Sequence, residues 1–183
     1  MITAIAKFFT TILEFVMFWK RNKAGDVIVK TAEIYDEMRK IVMDEELGVH
    51  RFLIIKAHNG GGDFRNDAMT YSTVLHEEIR RPMVSVKSDY QSLPIDGYYN
   101  EMLKKIYING ELYINTETMD RDSLLGNIYL REKVKHSKVF FLKHTKKGFW
   151  FCSVATANEK NQLDTPDHNV AFKIAVSKIK ERL

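Results

Sequence analysis

Two runs of aromatic and branched residues, KVFFLKH (138–144) and FWFCSVATA (149–157), are separated only by the turn TKKG. Strand-length apolar runs joined through a short glycine-containing turn predict a β-hairpin, and a hairpin commits the chain to an antiparallel ladder. An antiparallel sheet must cover at least one face with something apolar, and the flanks supply it. DVIVKTAEIYDEMRKIVMDEE (26–46) carries Val27, Ala32, Ile34, Tyr35, Met38, Ile41 and Val42 at helical spacing behind Asp26 as N-cap. TPDHNVAFKIAVSKIKERL (165–183) opens with a threonine cap and a proline in the first turn, with Val170, Ile174, Val176 and Ile179 along it. Between these helices lie VHRFLIIKAH (49–58) as a strand and AMTYSTVLHEEI (68–79) as a second, with Met69, Tyr71, Thr73 and Leu75 alternating. MVSVK (83–87) is a short extended piece, and LPIDGYYNEMLKKIYING (93–110) is a loop and then a helix ending at Asn109–Gly110. ELYIN (111–115) is a short strand, and DSLLGNIYLREKVKHS (122–137) a helix starting near Asp122 or Ser123. The order is helix, strand, strand, helix, strand, helix, hairpin, helix. It predicts an α+β fold with a mainly antiparallel sheet of about five or six strands and the terminal helices on one face.

The chain of 183 residues is long enough to bury a core without staples, and its 28 basic against 24 acidic residues form no concentrated basic face. Specific nucleic-acid binding therefore has no support. One cysteine, Cys152, closes no intramolecular disulfide, and the six histidines stand at no ligand spacing, so neither a metal nor another cofactor is expected. A reducing compartment follows from the lone thiol.

The first residues form a separate unit, 1–23, ahead of a globular domain at 24–183, with Ala24–Gly25 as a break. Ile2 to Trp19 is nearly continuous apolar sequence, followed by Lys20, Arg21 and Lys23. On a helix Thr3, Lys7, Thr10 and Glu14 make one narrow polar stripe. Such a stripe suits a membrane span that hides its charges between helices in an oligomer, with Trp19 at the interface and Lys20 and Arg21 on the cytoplasmic side. It equally suits a helix lying on the membrane, or a soluble helix buried against a second copy. The expected partners are accordingly a membrane or another copy of the chain in a homo-oligomer. The expected location is a membrane with the globular domain in the cytoplasm, the alternative being soluble cytoplasmic protein. The layout would suit a small accessory protein such as a phage encodes.

RFLIIKAHNGG, GYYNEMLKKIYINGELYIN, LLGNIYLREKVKHSKVFFL and GFWFCSVA follow one another in an order and hydrophobic texture that resembles the GAF family, over roughly residues 26–183. The resemblance implies a sheet carrying the first and last helices on one face and a ligand pocket on the other. It implies a sensing or scaffold module more than an enzyme. The disulfide chemistry of GAF-like methionine sulfoxide reductases is absent, because it needs more than one cysteine. Bilin-binding members attach their chromophore through a cysteine, usually beside a pocket histidine; Cys152 sits mid-strand between Phe151 and Ser153, where a small buried hydrophobe is the simpler reading.

The motif His58-Asn59-Gly60-Gly61-Gly62 raises the competing reading, an enzyme acting on a nucleotide or phosphorylated small molecule. A P-loop needs a Gly-Lys-Ser/Thr that the chain lacks, and a dinucleotide fingerprint needs a helix where a strand is expected. The glycines are thus expected to turn the chain between neighbouring antiparallel strands, with His58 and Asn59 as a polar rim or as turn caps. Asp63, Asp67, Glu77 and Glu78 read as a solvated edge, and Ser72 and Ser153 lack a nucleophile elbow. His76-Glu77 lacks the second histidine of a zinc protease. On the central helix Tyr98, Met102 and Ile106 share one face, and Tyr99, Leu103 and Tyr107 its neighbour, so one set is core and the other can face a cavity. Candidate ligand contacts are therefore His58, Asn59, Tyr98, Tyr99, Tyr107 and Cys152.

Overall fold

A computed structural model describes residues 2–60 and 69–183, with backbone only for 2–22. Helix α1 spans Ile2–Met43, strand β1 Arg51–His58, β2 Tyr71–Ile79 and β3 Leu93–Pro94. Helix α2 covers Gly97–Asn109, β4 Glu111–Asn115, a 3-10 turn Thr116–Thr118 and α3 Leu124–Arg131. The hairpin is β5, His136–Thr145, with β6, Gly148–Thr156, and α4 closes the chain at Pro166–Arg182. The six strands form one sheet in the order β3-β2-β1-β6-β5-β4, with every neighbouring pair antiparallel. The expected α+β architecture is present, including the hairpin that opened the argument.

Successive side chains along a strand point to opposite faces, so each central strand divides between two cores. Phe52 and Ile54 of β1, Phe140 and Leu142 of β5, and Cys152 and Val154 of β6 face α1 and α4. Ile34, Met38, Ile41 and Val42 of α1 and Phe172, Ala175, Val176 and Ile179 of α4 complete that layer. Two ion pairs tie the helices together across it, Lys178 to Glu37 at 3.2 Å and Arg182 to Glu33 at 2.7 Å. The alternate residues Leu53, Ile55, Ala57, Val139, Phe149 and Phe151 face the other way, against α2, α3 and the segment 80–92.

Four expectations are corrected. Helix α1 continues through Ala24–Gly25, where a break was expected, and Asp26 lies inside it and caps nothing. A single glycine in a helix costs only about 1 kcal/mol, which the rest of a long helix absorbs. MVSVK joins no strand: residues 83–86 are irregular and a turn begins at Lys87, and the edge strand is Leu93–Pro94, paired to Tyr71 and Ser72. In β2 the alternating set Tyr71, Thr73 and Leu75 is half-buried while Ser72 and Val74 are buried, because the pairing with β1 sets Ser72 opposite Ala57 and Val74 opposite Ile55, on the face toward α2 and α3. Val27 of α1 and Val170 and Ile174 of α4, expected as core, are exposed.

Helix α2 begins where the Asp96 side chain accepts from Tyr99 N at 2.8 Å, and ends at Gly110, whose φ of 79° is left-handed. Asp96 also accepts from Leu124 N at 2.9 Å, so one carboxylate fixes the starts of both helices that roof the second core. Among the residues whose side chains are described, no helix is long and apolar enough to cross a membrane. The side chains of Lys7, Thr10, Glu14, Trp19, Lys20 and Arg21 lie outside the described residues, and with them the polar stripe.

Candidate functional site

The roofed face of the sheet encloses a cavity of about 50 Å³. Leu53, Ile55, Val74, Val139 and Phe151 form its floor, Tyr99 and Met102 of α2 and Leu125, Ile128 and Tyr129 of α3 its roof, and Val86, Tyr90 and Leu93 one wall. An unusual number of polar groups end in it: Arg51, Ser72, Ser153 and the phenols of Tyr99 and Tyr129.

Arg51 is the first residue of β1, and its odd register places it on the cup side with Leu53 and Ile55. It is 2% exposed, yet its Nε and Nη1 have no hydrogen-bond partner. The ion pair that it makes among the described residues is to Glu132, Nη1 to carboxylate at 3.5 Å, close enough for attraction but not aligned as a hydrogen bond. Glu132 is divided: its other oxygen accepts from the Tyr90 hydroxyl at 3.0 Å and from Arg131 Nε at 3.2 Å. Arg131 also donates to the Tyr90 oxygen and lies over the Tyr90 ring.

The hydroxyls are chained. Tyr129 donates to Ser137 Oγ at 3.2 Å, and Ser137 and Ser153 are 2.9 Å apart. Either serine can be the donor of that bond, so the Ser153 hydroxyl can accept from Ser137 and turn its own proton elsewhere. Burial pushes the Tyr99 and Tyr129 phenols up, partly offset by hydrogen bonds to Ser72 and to Ser137 and Ser153 respectively, so both stay neutral. Tyr90 is also raised, mainly by burial.

The anticipated site residues divide between places. Tyr99 lines the cavity. Tyr98 and Tyr107 are 63% and 60% exposed, because the buried stripe of α2 is Tyr99, Met102, Leu103 and Ile106, straddling both expected faces. Tyr107 packs instead at the edge of the core, on Phe141, His144 and the buried Phe149. Cys152 is wholly buried on the α1/α4 side, where burial pushes its thiol up to about 12, so it and Tyr99 cannot touch one ligand. His58 has the even register of Phe52 and Ile54 and therefore also points away from the cavity. Its Nε2 meets Thr73 Oγ1 at 2.8 Å and its Nδ1 accepts from Gly60 N at 3.0 Å, with burial and then Lys56 holding its pKa down. That bond requires Nδ1 unprotonated, so His58 caps the turn, and Gly60 supplies the left-handed φ of 71°. Asn59 is half-buried with its Oδ1 unpartnered, while Gly61 and Gly62 lie outside the described residues. Thr70 N donates to His58 O at 3.2 Å, so the HNGGG loop joins two antiparallel neighbours.

Arg51 and Ser153 carried no ligand reading in the sequence. The available signal was a strand-opening arginine in the register of Leu53 and Ile55, readable once the cup face was known. A larger hollow of about 600 Å³ lies outside, between Pro82–Val84 and Thr116–Lys135, and is a surface groove whose rim residues Val84, Leu130 and Arg131 are exposed. Among the described residues no group of histidine, cysteine or carboxylate side chains is placed to hold a metal.

Solved structures share this arrangement of sheet, flanking helices and roof. The blue-light-absorbing form of the PixJ GAF domain of Thermosynechococcus elongatus aligns with a TM-score of 0.61 at 14% identity, over 86% of each chain. The fold is GAF-like. A phycoerythrobilin-bound GAF domain from a cyanobacterial phytochrome aligns at 0.52 with 15% identity, over 87% of this chain and 92% of the other. A third GAF domain from a Synechocystis sp. PCC6803 protein, in its photoproduct state, aligns at 0.57 with 12% identity, over 82% and 90%. No family model matches the sequence, and no curated protein matches it. At such identities the likeness carries the fold alone.

Proposed function

We propose that the chain is a non-enzymatic sensing module whose GAF-like cup holds a small molecule and whose N-terminal helix tethers it to a membrane surface or to a second copy. The observation that carries the reading is the buried Arg51 guanidinium, its Nε and Nη1 without a hydrogen-bond partner, beside a cavity in the core. A buried polar group without a partner costs free energy that a ligand can recover, and a core selected only for packing would have filled the space. The bilin-bound neighbours place their ligands in the same fold, which supports small-molecule binding as the class of activity. Covalent bilin attachment is not the version favoured here. Cys152 faces the opposite core, and a cavity of about 50 Å³ is far below the roughly 300–1,000 Å³ that drug-sized ligands occupy.

The cup is tested by thermal shift of the full chain against a panel of small metabolites; a flat response to every compound would refute ligand sensing. The tether is tested by deleting residues 1–23, which leaves intact the helix turns packed on the sheet from Ile34 onward. Full-length protein is expected in the membrane fraction or at higher mass, and the truncated form in neither. Identical partitioning and identical mass would refute it.

A further inference from the structure

We infer that the ligand of the cup is a small oxyanion, a phosphate or a short carboxylate, held between Arg51 and the Ser153 hydroxyl. The inference rests on the sensing reading above and names its chemistry.

Charge selects the sign. Two guanidinium groups, Arg51 and Arg131, share the single carboxylate of Glu132. One oxygen of Glu132 is already occupied by Tyr90 and Arg131, and the other only approaches Arg51. Arg131 is exposed to solvent, so the charge withdrawn from water at this end is that of Arg51, which the Glu132 carboxylate approaches only to 3.5 Å while it also serves Tyr90 and Arg131. Such a charge calls for a charge-assisted acceptor, and a neutral ligand would leave it uncompensated. The cavity adds no competing anion, since its phenols are protonated.

Donors select the atoms. The Nε–H and Nη1–H of Arg51 are unspent, and the Ser153 hydroxyl, which can accept from Ser137, is able to turn its proton to a ligand. All of these are donors, and an oxyanion offers only acceptors. The apolar floor of Leu53, Ile55 and Val139 accommodates the methyl or methylene end of a short carboxylate.

Volume selects the size. At about 10–15 Å³ of probe-occupied space per water, 50 Å³ takes roughly three to five waters, matching a ligand of about four or five non-hydrogen atoms. The way in is beside Tyr90. An outer cleft of about 360 Å³ shares Tyr90, Leu93 and Ile128 with the cavity, so movement of the Tyr90 side chain joins the two.

The test titrates the full chain with inorganic phosphate, acetate and propionate at constant ionic strength, against chloride as the salt control and acetamide as the neutral isostere. Melting temperature and the Arg51 Nε–H proton resonance are both followed. A saturable rise with at least one oxyanion is expected, together with a shift of that resonance. Arg51→Met is expected to weaken binding by about ten- to a hundredfold, and Ser153→Ala by several-fold, with the near-UV circular dichroism of each variant reporting its fold. Arg51→Lys, which keeps the charge but not the guanidinium donors, is expected to fall between wild type and Arg51→Met. Should the methionine variant fail to fold, the lysine and alanine variants and the Nε–H resonance carry the test. Phosphate and carboxylate sources separate by which of the three anions saturates first. A response to acetamide equal to that for acetate, or undiminished anion binding by Arg51→Met, would overturn the oxyanion while leaving small-molecule sensing in place. Silence toward anions and toward the wider metabolite panel alike would overturn both.

Discussion

The two faces of the sheet are built from the same strands, alternate residue by alternate residue, yet they differ in the polar groups they bury and in how those are partnered. Toward α1 and α4 the layer is mostly apolar, and the Glu37, Lys138 and Thr156 side chains that it buries are each hydrogen-bonded. Toward α2 and α3 the same strands present Arg51, Ser137 and Ser153, and β2 adds Ser72. Cys152 and Ser153 are neighbours in sequence and sit on opposite sides of this divide. A face that only has to hold the fold together pairs the polar atoms it buries, because each one must find a partner. A face that leaves one without a partner, beside an unfilled volume, is giving up packing for recognition. The comparison makes predictions at matched positions.

The largest effect belongs to the dry face. Phe172 is fully buried and meets Phe140 edge-on at 6.4 Å, so Phe172→Ala is expected to lower unfolding stability by about 3–5 kcal/mol in urea titration. A smaller contrast comes from adding one methylene on each side. Val154→Ile inserts a carbon into a closed layer and is expected to cost about 1–3 kcal/mol. Val139→Ile grows into the cavity and is expected to change stability by less than about 0.5 kcal/mol while weakening any ligand response. Equal costs at the two sites would mean that the cavity is not open space. Next are the two neighbours: Cys152→Ser buries a hydroxyl among apolar groups for about 1–3 kcal/mol, while Ser153→Ala removes one hydrogen bond for about 1 kcal/mol.

Much of the dry face was legible in the sequence, because helical and strand periodicities report how apolar residues segregate. The hairpin at 138–157 and the Asn109–Gly110 stop of α2 rest on local signals of this kind. The cup was less legible. Its polar residues look like surface residues in the sequence, and Ser72, Ser137 and Ser153 become interior only because α2, α3 and segment 80–92 are laid over them from far along the chain. In β2 the pairing register decides that Ser72 and Val74 turn inward, opposite Ala57 and Ile55, and no residue in YSTVLHEEI announces it. The exposed Tyr98 and Tyr107 misled for a related reason: α2 buries the stripe between two expected faces, so aromaticity alone did not identify the side turned inward.

The smallest effect is expected from pH, and it separates the faces once more. His50, His58 and His76 all have pKa values held below the ordinary value, each chiefly by burial and then by a nearby cation: Arg80, Lys56 and Lys87 respectively. None of the three lines the cavity; His76 packs edge-on against Tyr35 of α1 at 5.2 Å, with its Nδ1 unpartnered. The unfolded chain titrates these groups near about 6.5, so between that value and the lower folded ones it binds more protons than the folded chain does. Their contribution to stability is thus fully present above about pH 6.5 and is lost as the pH falls from there toward the folded values. The cup phenols are displaced upward and take no part in this range. Urea midpoints measured between pH 7.5 and 5 should therefore decline, and His76→Gln, which cannot charge, should flatten the slope without altering the response to ligand. A decline of the same steepness in His76→Gln would assign the acid sensitivity elsewhere. An accompanying loss of ligand response would show that the two faces are coupled through β2 and do not act as separate layers.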